Sequence, residues 1–207
     1  IDNPKQEVQH HLAKLNYQYY FDETASLSSQ YSFQFNKRLE FDVRRGSLNN
    51  LAALDLELST HNLNVDFKKT YHDWHLKSGV NAGFQNNFAS PATGIRPLIP
   101  NYEKLDAGIY GIASVSLSDG LALDGGLRYD FSKVDAKKFY FKSRWTERGY
   151  DVLFPQFEVR EVGDQILAHP TFTFHNLSAS LGFRKTFDKQ WDWYTNISLA
   201  IRNPNPS

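Results

Sequence analysis

The chain has 207 residues with 23 basic and 23 acidic side chains, so no net charge draws it toward nucleic acid or an anionic surface. It holds no cysteine, which excludes disulfides, thiolate metal sites and a cysteine nucleophile. No run approaches the roughly eighteen continuous apolar residues a membrane helix needs, a test that is blind to membrane strands.

The first strand is predicted over residues 7–21, with Ala13, Leu15, Tyr17, Tyr19 and Phe21 on one face and Lys14, Asn16, Gln18 and Tyr20 on the other. Residues 22–25 make a short turn. Residues 26–44 then alternate without interruption: Leu27, Tyr31, Phe33, Phe35, Leu39, Phe41 and Val43 against Ser26, Ser28, Gln30, Gln34, Asn36, Arg38 and Glu40. Soluble strands average about five or six residues, and roughly ten cross a bilayer at a tilt. A ribbon this long fits a membrane strand that continues past the bilayer.

The third strand, 54–68, changes parity between Leu54, Leu56, Leu58 and Leu63, Val65, Phe67, which predicts a β-bulge near Thr60 and His61. Arg38, Glu40, Asp42 and Arg44 are expected on the same side as Asp55 and Glu57, as an ion-pair ladder on the polar wall. The fourth strand covers 74–85, the proline-bearing loop 86–105 follows, and the fifth strand covers 106–118. Asp119-Gly120 is a hairpin signal into a sixth strand at 121–131. A charged, aromatic connection spans 132–175, with 171–174 as a strand extension out of phase with the next row. Strand seven covers 176–186, a turn lies at 188–190, and strand eight covers 191–202.

Connections near 22, 70, 119 and 188 are brief, whereas those near 48, 95 and 150 are extended. In a meander the brief ones share one rim and the extended ones the other, as in outer-membrane barrels. Tyr19, Phe21, Phe67, Trp74, Phe187, Trp191 and Trp193 gather toward the brief turns. Phe41, Phe84, Tyr129 and Phe131 sit toward the other rim, so two aromatic girdles are expected. The fold class is therefore all-β, an antiparallel up-and-down meander of about eight long strands forming part of a transmembrane β-barrel. Two other readings fit the alternation: a small self-contained outer-membrane barrel with a structural or adhesive role, and a lipocalin-like soluble carrier with the apolar row inward. A dry middle containing Phe33, Phe35, Leu123 and Trp193 would select the last.

The segment GIRPLIPNYEKLDAGIYG at 94–111 resembles a loop-then-strand segment of TonB-dependent outer-membrane receptors. LDLELSTHNLNVDFKK at 54–69 resembles the strand before it, and IRNPNPS at 201–207 is similar to the start of an Arg-x-Pro-Asn-x-Ser-Glu-Leu motif late in such barrels. The resemblance implies that residues 1–207 are an internal portion of a barrel of about 22 strands, with the plug domain outside them. It further implies a bacterial outer-membrane location and import of a scarce ligand such as an iron–siderophore, haem or another metal chelate. The expected partners are that ligand, the lipid bilayer, and the TonB complex acting through the plug.

The long connection interleaves Lys138, Arg144 and Arg148 with Tyr140 and Trp145. Cations among aromatics can grip an anionic, aromatic chelate by charge and cation–π contact. Glu147, Asp151, Glu158 and Glu161 dilute that charge, which disfavours single-stranded nucleic acid. Arg96 and Tyr102 in the preceding extended loop, and His169, complete the expected ligand-facing set. The competing reading is a loop that packs on its neighbours. His10 and His11 are expected on opposite faces, and no HExxH spacing occurs, so no metal site and no cofactor are expected. No nucleophile elbow, phosphate-binding glycine loop or paired carboxylates occur, so enzymatic activity is not expected.

Overall fold

The computed structural model describes residues 4–42, 51–97, 99–187, 191–201 and 203. Val43, Arg44, the connection at 45–50, the 188–190 turn, and the closing motif apart from Ile201 and Asn203 lie outside the described residues. The elements run β1 (Lys5–Asp22), β2 (Ala25–Phe41), β3 (Leu54–Tyr71), β4 (Trp74–Ala89), β5 (Asn101–Ser118) and β6 (Leu121–Phe141). Then come α1 (Lys142–Glu147), α2 (Tyr150–Leu153), β7 (Glu158–Val162), β8 (Gln165–Ala168), β9 (Thr171–Thr186) and β10 (Asp192–Leu199). All pairings are antiparallel, and β1 to β6 followed by β9 and β10 form one wall of eight strands. The hairpin β7–β8 is a branch on the upper end of β6.

Alternation fixes the two faces. Val65, Val80, Ile109, Tyr129 and Leu177 stand opposite one another across five strands. One residue along, the row is Asn64, Asn81, Gly108, Asp130 and Asn176. A cavity of about 630 Å³ on the polar face takes its lining from β1 through β6, including Gln18, Gln30, Asp66, Asn81, Tyr110 and Arg128. A space shared by six successive strands requires the polar face to be concave. The apolar rows are therefore convex and open: Leu127 is 64 % exposed and Ile197 77 %.

The described residues contain no dry middle. Their buried apolar side chains are Ala25, Ala89, Val134 and Ala136 in the wall and Trp145, Ile166 and Ala168 in the branch. Trp193 points outward beside Phe183, with 5.8 Å between ring centroids. An inward greasy row, and with it the lipocalin-like carrier, is overturned, because a water-facing exterior would not carry these chains. The lower girdle is built at the brief turns, where Phe21 packs on Tyr19 at 5.0 Å and on Phe67 at 6.1 Å.

Three expectations are corrected. No bulge occurs near Thr60 and His61, since the β3 register is unbroken against both β2 and β4. The parity change instead marks where the faces exchange polarity: above His61 the convex row becomes Ser59, Glu57, Asp55, and Leu58, Leu56, Leu54 turn to the concave side. For the same reason Asp55 and Glu57 do not share a face with Arg38 and Glu40. They join Lys37, whose Nζ lies 2.7 Å from Glu57 Oε1 and 3.7 Å from Asp55 Oδ1. Its hydrogen bond to Glu57 raises the lysine's pKa above the ordinary value. Finally, β4, β5 and β6 are longer than expected, shrinking the loop at 86–105 to 90–100 and the connection at 132–175 to 142–170. The buried row of upper β6 is Ser132, Val134 and Ala136, too small an apolar signal to register as a strand.

At the first brief turn, Asp22 Oδ1 accepts from the Thr24 N–H and hydroxyl, both at 2.7 Å, and Lys69 Nζ lies 3.2 Å from Oδ2. The Thr24 hydrogen bonds, then Lys69, lower its pKa from 3.8 to about 2. A depressed carboxylate stabilises the fold above its unfolded pKa, and that contribution is lost as pH falls through the folded value. Asp22→Asn is therefore expected to lower the urea midpoint at neutral pH and to flatten its dependence between about pH 4 and pH 2. Parallel curves for the two proteins down to pH 2 would refute this.

Candidate ligand-binding site

The concave wall carries bonds that skip a strand. Gly79 lies opposite both Asp66 and Tyr110, and a Cβ there would come within 2.7 Å of Asp66 Oδ1 and of the Val65 carbonyl oxygen. With that space empty, the Tyr110 hydroxyl passes from β5 over β4 to donate to Asp66 on β3. Gly108 repeats the device, since a Cβ would stand 2.5 Å from Asn81 Oδ1 and Asp130 Oδ1. Arg128 Nη2 reaches over it from β6 to Asn81 on β4 at 2.8 Å, while Nε holds Asp130 Oδ2 at 2.7 Å.

Above this wall the long connection folds into a cap. Trp145, 3 % exposed, packs with Ile166 and Ala168, and Tyr140 and Tyr150 close the cluster. Ring centroids lie 5.2 Å apart for Tyr140–Trp145, 5.3 Å for Trp145–Tyr150, 5.7 Å for Tyr150–Phe154 and 5.6 Å for Phe154–Phe157. Gly149, at φ 67°, supplies the left-handed residue that separates α1 from α2. The cap is thus an aromatic core strapped to upper β6 by β8.

The expected site residues divide into groups. Arg96 lies 4.6 Å over the Phe141 ring, tying the 90–100 loop to the end of β6. Burial raises the Tyr140 phenol above its ordinary pKa, with Arg96 and Arg148 acting in the opposite sense, so both guanidiniums lie within electrostatic reach of that hydroxyl. Lys138 Nζ stands 5.8 Å from the same tyrosine ring. Tyr102, its phenol also raised by burial, donates to Gln85 Oε1 at 2.8 Å on the concave side. Arg144 is turned to solvent and pairs with Glu147 at 2.6 Å. Trp145 is the core of the cap and presents no surface. His169 is drawn to Asp135, on the face of β6 opposite to Tyr140. Lys138 and Tyr140 are therefore brought together, Arg96 lies over the neighbouring Phe141, and His169 is set apart from Tyr140.

A second cavity, of about 390 Å³, opens between the tips of β2 and β3 and the 90–100 loop. Arg38, Glu40 and Arg96 line it over a floor of Leu54, Leu56 and Ile95. Sequence reading missed this pairing, although the parity change in β3 was its signal. The loop is held by Asn87 Nδ2 donating to the Pro100 carbonyl at 2.9 Å and by the Ser90 N–H donating to the Asp55 carbonyl at 2.9 Å. Two guanidiniums over an apolar floor suit a flat anion better than a bare cation. Among the described residues no cluster of three or more histidine or acidic side chains could hold a metal ion.

A family model described as "TonB dependent receptor-like, beta-barrel" matches residues 2–207. No curated protein sequence matches the chain. Among solved structures, the FrpB iron transporter from Neisseria meningitidis (F5-1 variant) is similar at 20 % identity and a TM-score of 0.65, covering 96 % of this chain and 29 % of that one. The ferric-catecholate import receptor Fiu from K12 E. coli gives 11 % identity and 0.67, covering 95 % and 33 %. The copper transporter OprC gives 14 % and 0.64, covering 96 % and 30 %. At these identities the likeness is one of fold, and the chain spans about a third or less of each structure's length.

Proposed function

This chain belongs to the TonB-dependent receptor β-barrel family, and from that premise we propose that it is wall and external loops of an outer-membrane importer of an anionic metal chelate. The convex rows face hydrocarbon, the long-loop rim faces outward from the cell, and the brief turns face the periplasm. The plug that fills the concave side, and through it the TonB complex that powers transport, lie outside these residues. Iron and copper transporters and a ferric-catecholate import receptor among the similar structures support a metal or chelate cargo.

The observation that carries the reading is the cationic and aromatic rim above the polar wall, where Arg96 lies 4.6 Å over Phe141 and Lys138 stands 5.8 Å from the ring of the partly buried Tyr140, whose phenol also feels the charge of Arg148. Two cations beside aromatic faces fit a catecholate-type complex or the propionates and ring of haem. The test uses the complete receptor and three probes: a ferric tris-catecholate, haemin and aqueous copper(II). One of the two anionic chelates is expected to bind tightest, and Arg96→Gln with Arg148→Gln to weaken it about tenfold or more. Unchanged affinity in the double variant would remove these residues from the site. Preference for the copper ion would overturn the anionic-chelate assignment.

A further inference from the structure

The cavity between the tips of β2 and β3 and the 90–100 loop has more apolar wall than a flat anion needs. Leu54, Leu56, Ala89, Ile95, Pro97 and Ile99 all line it, and every one of these is aliphatic. Ile95 is 48 % exposed and Ile99 37 %, so aliphatic surface stands open to water on a loop of the outer rim. Scattered singly, such side chains need no explanation; here they surround one pit of about 390 Å³.

The pit is built before any ligand arrives. The Ser90 N–H donates to the Asp55 carbonyl at 2.9 Å, Asn87 Nδ2 to the Pro100 carbonyl at 2.9 Å, and the Ala89 N–H to Asn101 Oδ1 at 2.7 Å. The first bond fastens the start of the loop to β3, the second fastens its end to β4, and the third joins β4 to β5 at its neck. A preformed pocket spares its ligand the cost of ordering the walls.

Charge marks one end of it. Of the ionic side chains in the lining, Arg38 pairs with Glu40, and Asp55 lies 3.7 Å from Lys37. Arg96 has no carboxylate partner among the described residues. It also lies 4.6 Å over Phe141, next in the chain to Tyr140, so one guanidinium borders both the pit and the rim. The pair of surroundings matches an amphiphile, with an anionic head at Arg96 and an apolar chain behind it. An aryl group would find no ring to stack on in the pit, whereas a flexible chain can follow aliphatic walls. We propose that the pit receives the acyl tail of an amphiphilic metal chelate whose anionic head is held beside Arg96. This rests on the anionic-chelate reading above and adds the tail to it.

The complete receptor is titrated with ferric complexes of one anionic catecholate chelator carrying an acetyl, butanoyl, hexanoyl or octanoyl amide, and a benzoyl amide as the aryl probe. Affinity is expected to rise about threefold for each methylene until the pit is full, and then to level off. Ala89→Phe fills the pit and is expected to remove about tenfold or more of the octanoyl gain. What gain remains in that variant measures partition of the tails into lipid. Ile95→Ser with Ile99→Ser changes only exposed loop positions and is expected to lower the gain to less than about twofold per methylene. Equal affinity for the acetyl and octanoyl complexes overturns the acyl pocket and leaves the chelate reading standing. A benzoyl complex tighter than the hexanoyl one overturns the choice of chain. A gain with tail length that persists undiminished in the folded Ala89 variant puts the tail elsewhere and overturns the assignment; should that variant fail to fold, the serine pair decides the same point. If no member of the series binds, the anionic-chelate reading fails and the pocket falls with it.

Discussion

Leu127→Arg in the complete receptor is expected to cost about 2–4 kcal/mol of folding stability in lipid vesicles, the penalty of a cation at bilayer mid-depth on a lipid-facing strand. Leu127 is 64 % exposed, in the row that runs from Ser78 through Gly111 to Ala179. An equally exposed leucine on a water-soluble protein would accept the change within about 0.5 kcal/mol. The substitution therefore reads the solvent. Gln18→Arg, on the concave face, is the matching control and is expected to cost less than about 1 kcal/mol. Reversible urea unfolding from vesicles measures both. Equal losses would place the convex rows in water and dismantle the membrane account.

Trp145→Ala is expected to cost the cap about 3–5 kcal/mol, since its core is little more than this indole, Ile166 and Ala168 between two tyrosines. A unit with so small a core does not survive that loss, whereas the wall meets the indole through Tyr140 at the upper end of β6. Limited proteolysis should open within 142–170 while the barrel keeps its heat-modifiable mobility, and chelate affinity should fall with the cap. The Trp145 Nε1 has no hydrogen-bond partner among the described residues, so Trp145→Phe leaves no new orphan. It should retain most of the packing at about 1 kcal/mol. A protease-resistant alanine variant would show that the cap is held by something other than its aromatic core.

The wall was legible because a period of two is written into every strand. Phe33, Leu123, Leu181 and Trp193 announce their face by parity alone. What parity cannot say is where a face changes solvent. Leu54, Leu56 and Leu58 look like a slipped lipid row, yet they floor a cavity above the membrane, because a strand leaving hydrocarbon may exchange its polar and apolar sides without a bulge. Upper β6 was missed for a related reason: outside lipid its burial comes from the cap, a contact between residues far apart in the chain. In the site, the residue types of the long loop were readable, but not that Trp145 turns inward while Arg148 stays out. Nor does any local pattern reveal that Gly79 and Gly108 are gaps for side chains two strands away.

Those two gaps bear on mechanics. Strands joined only to their neighbours can fold about every seam, like staves with no band around them. The Tyr110–Asp66 and Arg128–Asn81 ties each lock a pair of seams at once, and together they overlap from β3 to β6. An arc tied across three seams in this way bends less readily than strands joined to their neighbours alone, so deformation is left to the staves on either side.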